Sequence, residues 1–322
     1  MRAGKLDNDV LNKLVLDKLK RTREEVVCSP KVGVDCAAID FGGAIAVFST
    51  DPITSATANL GGLTVHVSCN DAAAAGAEPI GLLITILAPT SATEEDIGTL
   101  ADELAKAAEE ANVDIIGGHT EVTNAVTRLV TSATVIARSI NDKPILPSGM
   151  KPGNSIVLTK SAGIEGASII AHDLTDRVQS LSKAEIETAK SFSELVSVVK
   201  EGVYAAKHGA TAMHDVTEGG VLGAIWEMAS ASDCGVQVSV SLIPIHPVTS
   251  KICDIVGVNP MRLISSGCML IACDNGEELC KGLERIGVDA TVIGHATADK
   301  RIMCDGNEIE PPQADELYRL FD

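Results

Sequence analysis

Aromatic residues and positive charge are both scarce in this chain of 322 residues. One Trp, two Tyr and four Phe do not supply the several aromatic faces on which single-stranded nucleic acid stacks. The 26 Lys and Arg are outnumbered by 44 Asp and Glu, and the formal net charge of -18 repels polyanionic partners. We therefore expect neither nucleic acid nor an anionic membrane as a partner.

Several signatures of common binding sites are also missing. The chain has no Walker A loop and no GxGxxG segment after a strand, so neither standard phosphate cradle is present. The GxSxG and HExxH signatures are absent too. A nucleotide, if one is bound, must be held in another way.

The cysteines point to a reducing compartment. There are nine of them, and they form no CxxC pair and no Cys/His cluster with zinc-finger spacing. Most stand beside Val, Ile, Leu or Ala, which is typical of reduced core residues in a cytosolic protein. No apolar run approaches the roughly 20 residues that a membrane span needs. We expect a cytoplasmic protein without a membrane segment.

Strand-like and helix-like segments alternate along the chain and predict an α/β (α+β) fold. Segment 140–153 is rich in Pro, Gly, Asn and Asp, and we place the domain junction there, with domains at 1–145 and 146–322. The predicted helices are 9–21, 60–76, 93–111, 165–172, 183–200 and 219–231. The predicted strands are 44–48, 80–87, 113–116, 129–137, 155–159, 236–240, 268–273 and 291–293, with a hairpin turn at 305–306.

Four carboxylates stand at the ends of apolar strands or in small-residue loops. They are Asp35, Asp51, Asp71 and Glu121. Carboxylates that converge from separate loops can hold magnesium against the phosphates of a nucleotide. The metal ions would then offset the repulsion between an acidic protein and an anionic ligand. Taken singly, each of these residues is also explained by a turn or a helix cap.

Two glycine-rich segments stand where a helix is predicted to begin. The first contains Lys160, Gly163 and Gly166; the second contains Asp215, Gly219 and Gly220. Amide groups at a helix N-terminus bind anions, and Lys160 would add a positive charge. A tight turn with a helix cap explains the same pattern.

His119 follows a Gly-Gly pair and precedes Glu121 by two positions. Next to a carboxylate loop, a histidine can act as a base or contact a phosphate. A lone histidine is more often an ordinary surface or core residue, so both interpretations stay open here.

Six segments, taken in order, resemble the motifs of one superfamily. They are GVDCAA at 33–38, STDPIT at 49–54, residues 67–79, GGHTEV at 117–122, HDVTEGG at 214–220 and SGCML at 266–270. In this order they resemble the superfamily of aminoimidazole ribonucleotide synthetase, the hydrogenase maturation protein HypE and selenophosphate synthetase. The resemblance covers nearly the whole chain.

The resemblance implies a two-domain α/β fold in which two N-terminal domains pair their sheets across a homodimer. ATP with Mg2+ would lie in a cleft beside that interface, and many members use ATP to phosphorylate an amide-type oxygen. The implied metal ligands are Asp35, Asp51 and Asp71. The resemblance also implies a supporting role for Asn70 in cofactor binding. The helix starts described above add the other predicted cofactor-binding residues, which are Lys160, Gly163, Gly166, Asp215, Gly219 and Gly220. His119 stands where several members carry a carboxylate, so a ligand is either lost there or replaced by Glu121. The predicted catalytic residues are His119 and Glu121.

Two departures from the superfamily narrow the expected activity. Cys28 stands too close to the metal loop to match the reactive residue of the selenium enzymes, and the Pro-Arg-Ile-Cys ending of HypE-type members is absent. We expect no carbamoyl group on the chain's own tail, so the acceptor would be a separate small molecule or another protein.

The predicted function is an ATP-dependent enzyme with an unknown acceptor. The alternatives are a non-catalytic nucleotide-binding regulator or scaffold and a thiol-based metal carrier.

Overall fold

The computed structural model describes residues 8–19, 21–31, 34–54, 59–312 and 314–321. These residues form two β-sheets, of six and seven strands, with helices packed on them. The predicted α/β (α+β) class is confirmed. Residue 20 of the predicted helix 9–21 and residue 33 of the motif at 33–38 lie outside the described residues.

The first sheet is built from residues 26–139. Its strands are β1 (Val26–Cys28), β2 (Ala37–Asp40), β3 (Ile45–Ile53), β4 (Ala77–Ala88), β5 (Asp114–Val122) and β6 (Val130–Ser139). They lie in the order β1-β2-β3-β6-β4-β5, with β4 and β5 parallel and the other neighbours antiparallel. The helices of this half are α1 (Asn8–Leu14), α2 (Leu60–Ala74) and α3 (Glu94–Ala111).

β5 continues through the Gly117-Gly118 pair, where the sequence predicts its end. A Cβ atom on Gly118 would lie 1.8 Å from the carbonyl oxygen of Ile84, so only glycine lets β5 approach β4 at this point. His119 and Glu121 therefore belong to the strand and not to a loop.

The two long helices of this half have different environments. α3 begins as predicted, because the Thr93 hydroxyl accepts a hydrogen bond from the Asp96 amide and the Asp96 carboxylate accepts one from the Thr93 amide. α2 is buried on almost every side. A helix without a polar face belongs inside a protein, and α2 lies between the first sheet and the second half of the chain.

The second sheet is built from residues 155–308. Its strands are β7 (Ser155–Thr159), β8 (Ala210–Val216), β9 (Gly235–Val238), β10 (Cys268–Cys273), β11 (Ala290–Thr297), β12 (Ile302–Cys304) and β13 (Asn307–Glu308), in the order β13-β12-β9-β11-β7-β10-β8. The helices are α4 (Ile164–Asp173), α5 (Lys183–Ser191), α6 (Val199–Lys207), α7 (Gly220–Ala231), α8 (Pro247–Val256) and α9 (Gly276–Arg285). In the part of the chain that the structure describes, no helix is both long and apolar enough to cross a bilayer.

The predicted helix 183–200 is wrong as a single element. α5 ends at Ser191, a short 3-10 turn follows at Phe192–Leu195, and α6 begins at Val199. The break has a tertiary cause, because the carbonyl of Val196 and the amide of Val198 are hydrogen-bonded to Asn70 on α2. Residues 196–198 therefore cannot make helical hydrogen bonds with these groups.

The two halves pack against each other through α2. Ala73 and Ala74 of α2 share a cluster of buried residues with Val198 and Met213 of the second half. Gly202 lets α6 lie close to α2, since a Cβ atom there would be 2.7 Å from the carbonyl oxygen of Ala73. This packing brings the C-terminal end of α2 next to the end of β8.

Candidate metal and nucleotide site

Acidic residues from both halves meet where α2 ends and β8 ends. Donor atoms of Asp35, His214 and Asp215 all lie within 4.8 Å of one another. Asp71, on α2, is 6% exposed, and its Oδ2 atom accepts a hydrogen bond of 2.5 Å from the Ser49 hydroxyl. The same hydroxyl oxygen lies 3.0 Å from the carbonyl oxygen of Asp35, so Ser49 ties Asp71 to the loop before β2.

The electrostatics of this cluster favour a bound cation. Burial raises the pKa of Asp71 well above its ordinary value, and the nearby carboxylates of Asp215, Asp51 and Asp35 raise that pKa further. A divalent cation would relieve this repulsion without requiring a proton. Carboxylate oxygens are the donors that Mg2+ prefers, so these residues fit the predicted metal.

His214 is a member of the cluster that sequence reasoning did not select. It is 6% exposed, and its Nε2 atom lies 3.0 Å from a carboxylate oxygen of Glu227 on α7. Burial by itself would lower the pKa of His214, but the carboxylates of Asp215 and Glu227 outweigh this and raise it to about 10. The sequence does carry a signal for Glu227, because it is the one charged residue in the apolar segment 220–231.

Both polar atoms of the Asn70 side chain are hydrogen-bonded to backbone groups of the protein. Its Nδ2 atom donates to the carbonyl of Val196 at 2.7 Å, and its Oδ1 atom accepts from the amide of Val198 at 2.8 Å. The predicted contact of Asn70 with a cofactor stays a prediction. The structure gives this residue a separate role, which is to join α2 to the segment before α6.

Lys160 is likewise engaged inside the protein. Its ammonium group donates to the carbonyls of Ser197 and Gly267, at 2.7 and 2.8 Å, and forms an ion pair with Glu201. Glu201 is 1% exposed, whereas the Lys160 side chain is partly buried. In this structure Lys160 connects β7, the start of β10 and the segment before α6, and Glu201 neutralises its charge.

The glycine-rich helix starts are tight turns, as in the alternative interpretation, but no side chain of the described residues caps the helix at Gly163 or Gly219. Their predicted role in cofactor binding stays a prediction. The amides of all four glycines donate to protein groups: Gly163 to Ser265 Oγ, Gly166 to the Ile264 carbonyl, Gly219 to Asp315 Oδ2 and Gly220 to the Thr217 carbonyl. A Cβ atom on Gly166 would lie 2.3 Å from Leu263, and one on Gly220 would lie 2.6 Å from the Met261 carbonyl oxygen. A phosphate would have to displace these acceptors.

His119 and Glu121 lie away from the acidic cluster within one chain. Their side chains are 3.2 Å apart and exposed. His119 is in register with Thr85, Ser132 and Pro52 across the sheet. Three strand spacings correspond to about 14 Å. Because neighbouring residues of a strand face opposite ways, Asp51 points to the other side of the sheet. The predicted catalytic role of the pair stays a prediction.

Among the described residues, no cysteine belongs to the group of possible metal ligands, although Cys36 lies beside that group, where burial and the carboxylates of Asp71 and Asp35 raise the pKa of its thiol. All nine are free thiols, and eight of them are buried. The group of possible metal ligands found among the described residues consists of Asp35, His214 and Asp215, without a cysteine. A thiol-based metal carrier therefore has no support in the described part of the structure.

Fold and site together define a two-domain α/β protein with a partly buried carboxylate cluster where its domains meet. The chain belongs to the family described as AIR synthase related protein: residues 33–138 match its N-terminal domain and residues 151–305 its C-terminal domain. The predicted superfamily is confirmed.

Three known proteins show how this chain relates to the family. A Methanocaldococcus jannaschii protein, provisionally named a hydrogenase expression/formation protein, is 27% identical over 305 residues, which cover 91% of this chain and 89% of that protein. The carbamoyl dehydratase HypE of Rhizobium leguminosarum bv. viciae is 25% identical over 280 residues, or 84% of this chain and 78% of that protein. A crystal structure of HypE in complex with ATP has a TM-score of 0.74 at 20% identity, covering 88% of this chain and 89% of that one. This last likeness shows a shared fold.

Proposed function

We propose that this protein binds ATP with Mg2+ at the acidic cluster and uses ATP to activate an oxygen atom of an acceptor. The observation that carries the proposal is the convergence of Asp35, Asp71 and Asp215 from the two halves of the chain. These residues, with Asp51, would hold more than one divalent ion, at least one of them Mg2+. Bound Mg2+ would bridge the phosphates and offset the charge that develops on them during transfer.

A carboxamide or carbamoyl oxygen is the proposed acceptor. The support is that a relative covering most of this chain is named a carbamoyl dehydratase, and that a protein of the same fold is known with ATP bound. An amide oxygen is a poor leaving group. Phosphorylation of that oxygen, with release of ADP, would allow it to depart as phosphate.

ADP release and nucleotide binding would test this proposal together. ATP binding is measured by calorimetry with and without Mg2+, and ADP release is followed with a panel of carbamoyl-containing and carboxamide acceptors. Metal-dependent binding and acceptor-dependent ADP release are expected. Tight binding without turnover for any acceptor would favour the alternative, a nucleotide-binding regulator. Absence of binding would contradict both.

We also propose that two copies of the chain pair through β5. Its nine residues are all exposed, and it is the terminal strand of the first sheet. Ile115, Ile116 and Val122 present apolar surface on it. An uncovered apolar edge strand invites aggregation, and a second copy would cover it.

A cytoplasmic location also remains a proposal. It is supported by the nine free thiols, since structural disulfides are rare in reducing compartments.

A further inference from the structure

His214 combines two features that an ordinary buried histidine does not need. Its Nδ1 atom makes no hydrogen bond with the described residues, although it is buried. That atom lies 3.9 Å from Asp215 Oδ1, in the cluster that also contains Asp35. A buried nitrogen without a partner destabilises the fold unless something else fills the position.

We propose that His214 is a nitrogen ligand of a cation held with Asp35 and Asp215, so that this position selects a transition-metal ion over Mg2+. The inference deepens the proposed function, because it concerns a cation at the same carboxylate cluster. It adds a ligand that the sequence motifs do not assign and a class of metal that they do not indicate.

The spacing of the donor atoms suits a single ion. Metal-to-ligand distances of about 2.0–2.2 Å place the donors of one ion about 3–4 Å apart. The three donors here lie within 4.8 Å of one another, so a small inward movement would close the site. Asp35 is an exposed residue of the loop before β2, whereas His214 and Asp215 are buried near the end of β8.

Glu227 completes the arrangement from the far side of the imidazole ring. A metal-binding histidine commonly donates its second ring N–H to a carboxylate, which fixes the tautomer and leaves the first nitrogen free for the metal. His214 Nε2 lies 3.0 Å from Glu227 Oε2. A bound cation would displace the Nδ1 proton that the neighbouring carboxylates favour in the metal-free protein. With the other proton kept on Nε2, the freed lone pair of Nδ1 would be available 3.9 Å from Asp215 Oδ1.

The donor set decides which ions are favoured. Imidazole with carboxylates suits Mn2+, Co2+ and Zn2+, whereas Mg2+ prefers an all-oxygen shell and gives up its water reluctantly. The remaining carboxylates, Asp51 and Asp71, stay available for Mg2+ and the phosphates of a nucleotide.

The test uses Mn2+ as the probe, the full chain and no nucleotide. Mn2+ affinity is measured by titration, and electron spin-echo spectroscopy of the bound ion detects a directly coordinated nitrogen. We expect nitrogen modulation in the wild type and its loss in His214→Gln, together with at least tenfold weaker Mn2+ binding. Glu227→Gln should keep the nitrogen signal and weaken Mn2+ binding by about tenfold. This is the lower end of the range for replacing a residue that hydrogen-bonds to a metal ligand. His208→Gln, an exposed histidine elsewhere, should change neither.

Bound Mn2+ without nitrogen modulation in the wild type would overturn the proposal, as would an unchanged signal and affinity in His214→Gln. If His214→Gln fails to fold, the wild-type spectrum still tests the proposal, because bound Mn2+ without a coordinated nitrogen would overturn it. Because nucleotide is absent, a failure of ATP binding would contradict the proposed function and leave this inference standing. Mn2+ bound only by oxygen atoms would contradict this inference and leave the proposed function standing.

Discussion

The side chain of Asn70 accepts a hydrogen bond of 2.8 Å from the amide of Val198, a residue 128 positions further along the chain. Its other polar atom donates to Val196, so one amide group holds both ends of a three-residue segment. Asn70 directly precedes Asp71, and the held segment supplies the carbonyl of Ser197 to Lys160. This contact therefore ties the helix that carries Asp71 to the second half of the chain.

Replacing Asn70 should destabilise the protein more than an asparagine replacement normally does. Asn70→Ala leaves two buried backbone groups without partners, and we expect a loss of about 2–4 kcal/mol in the free energy of unfolding. Urea denaturation measures it. Asn307→Ala, on exposed β13, is the matched control and should stay within about 0.5 kcal/mol of the wild type. Equal stability of the two variants would show that the contact does not hold the halves together.

Asp71→Asn should have opposite effects on ligand binding and on stability. The amide can still accept from Ser49, but it is a poorer metal ligand, so Mg2+-ATP affinity should fall at least tenfold, or about 1.4 kcal/mol. Because burial and neighbouring carboxylates raise the pKa of Asp71, its charged form destabilises the metal-free fold. The variant should therefore unfold at a higher temperature without metal.

Calorimetry and thermal unfolding at pH 7 give the two readings for Asp71→Asn. Asp102→Asn, on the exposed face of α3, is the control for removing one aspartate charge. Unchanged ATP affinity in both Asp71→Asn and the corresponding Asp51 variant would contradict the placement of the nucleotide.

Glu165 should make the stability of the fold depend on pH. Burial raises its pKa from the ordinary 4.5 to about 7, while the amide of Ser266 donates to it. The folded state therefore binds this proton more tightly than the unfolded state, and stability falls as pH rises from 4.5 to 7. A tenfold change in proton affinity is about 1.4 kcal/mol, so the total is on the order of 3 kcal/mol.

Glu165→Gln removes this contribution and keeps an acceptor for Ser266. The variant should gain stability relative to the wild type as pH rises through this window, which urea unfolding at several pH values would measure. Glu109→Gln, on the exposed face of α3, should run parallel to the wild type. Parallel curves for Glu165→Gln as well would contradict the assignment.

Disrupting β5 should separate the proposed dimer. Ile116 is 56% exposed, and Ile116→Lys would place a charge on the surface that a second copy is proposed to cover. Sedimentation velocity at micromolar concentration should show a dimer for the wild type and a monomer for the variant. Ile255→Lys, on α8 of the other half, changes the same residue type and should remain dimeric. A monomeric wild type would refute the proposal.

The sequence by itself determined the features that depend on near neighbours. The capping box at Thr93 and Asp96 marks the start of α3, and the apolar runs at 155–159 and 268–273 coincide with β7 and β10. The order of short motifs indicated the family. Asp35, Asp71 and Asp215 were selected in the same way, since each stands in such a motif.

Only the tertiary structure decided what the remaining polar residues contact. The partner of Lys160 is Glu201, 41 positions away, and Asp315 reaches the amide of Gly219 across 96. In the sequence, a lysine that binds phosphate and a lysine paired with a distant carboxylate look the same, because each stands in a glycine-rich turn. The local sequence therefore could not show that Lys160 is paired with Glu201. The same holds for His214 and Glu227, whose pairing depends on α7 packing back on β8. The sequence showed which residues could take part in polar contacts, but it could not show which of them are paired. These pairs form only when segments that are separate in the sequence pack together.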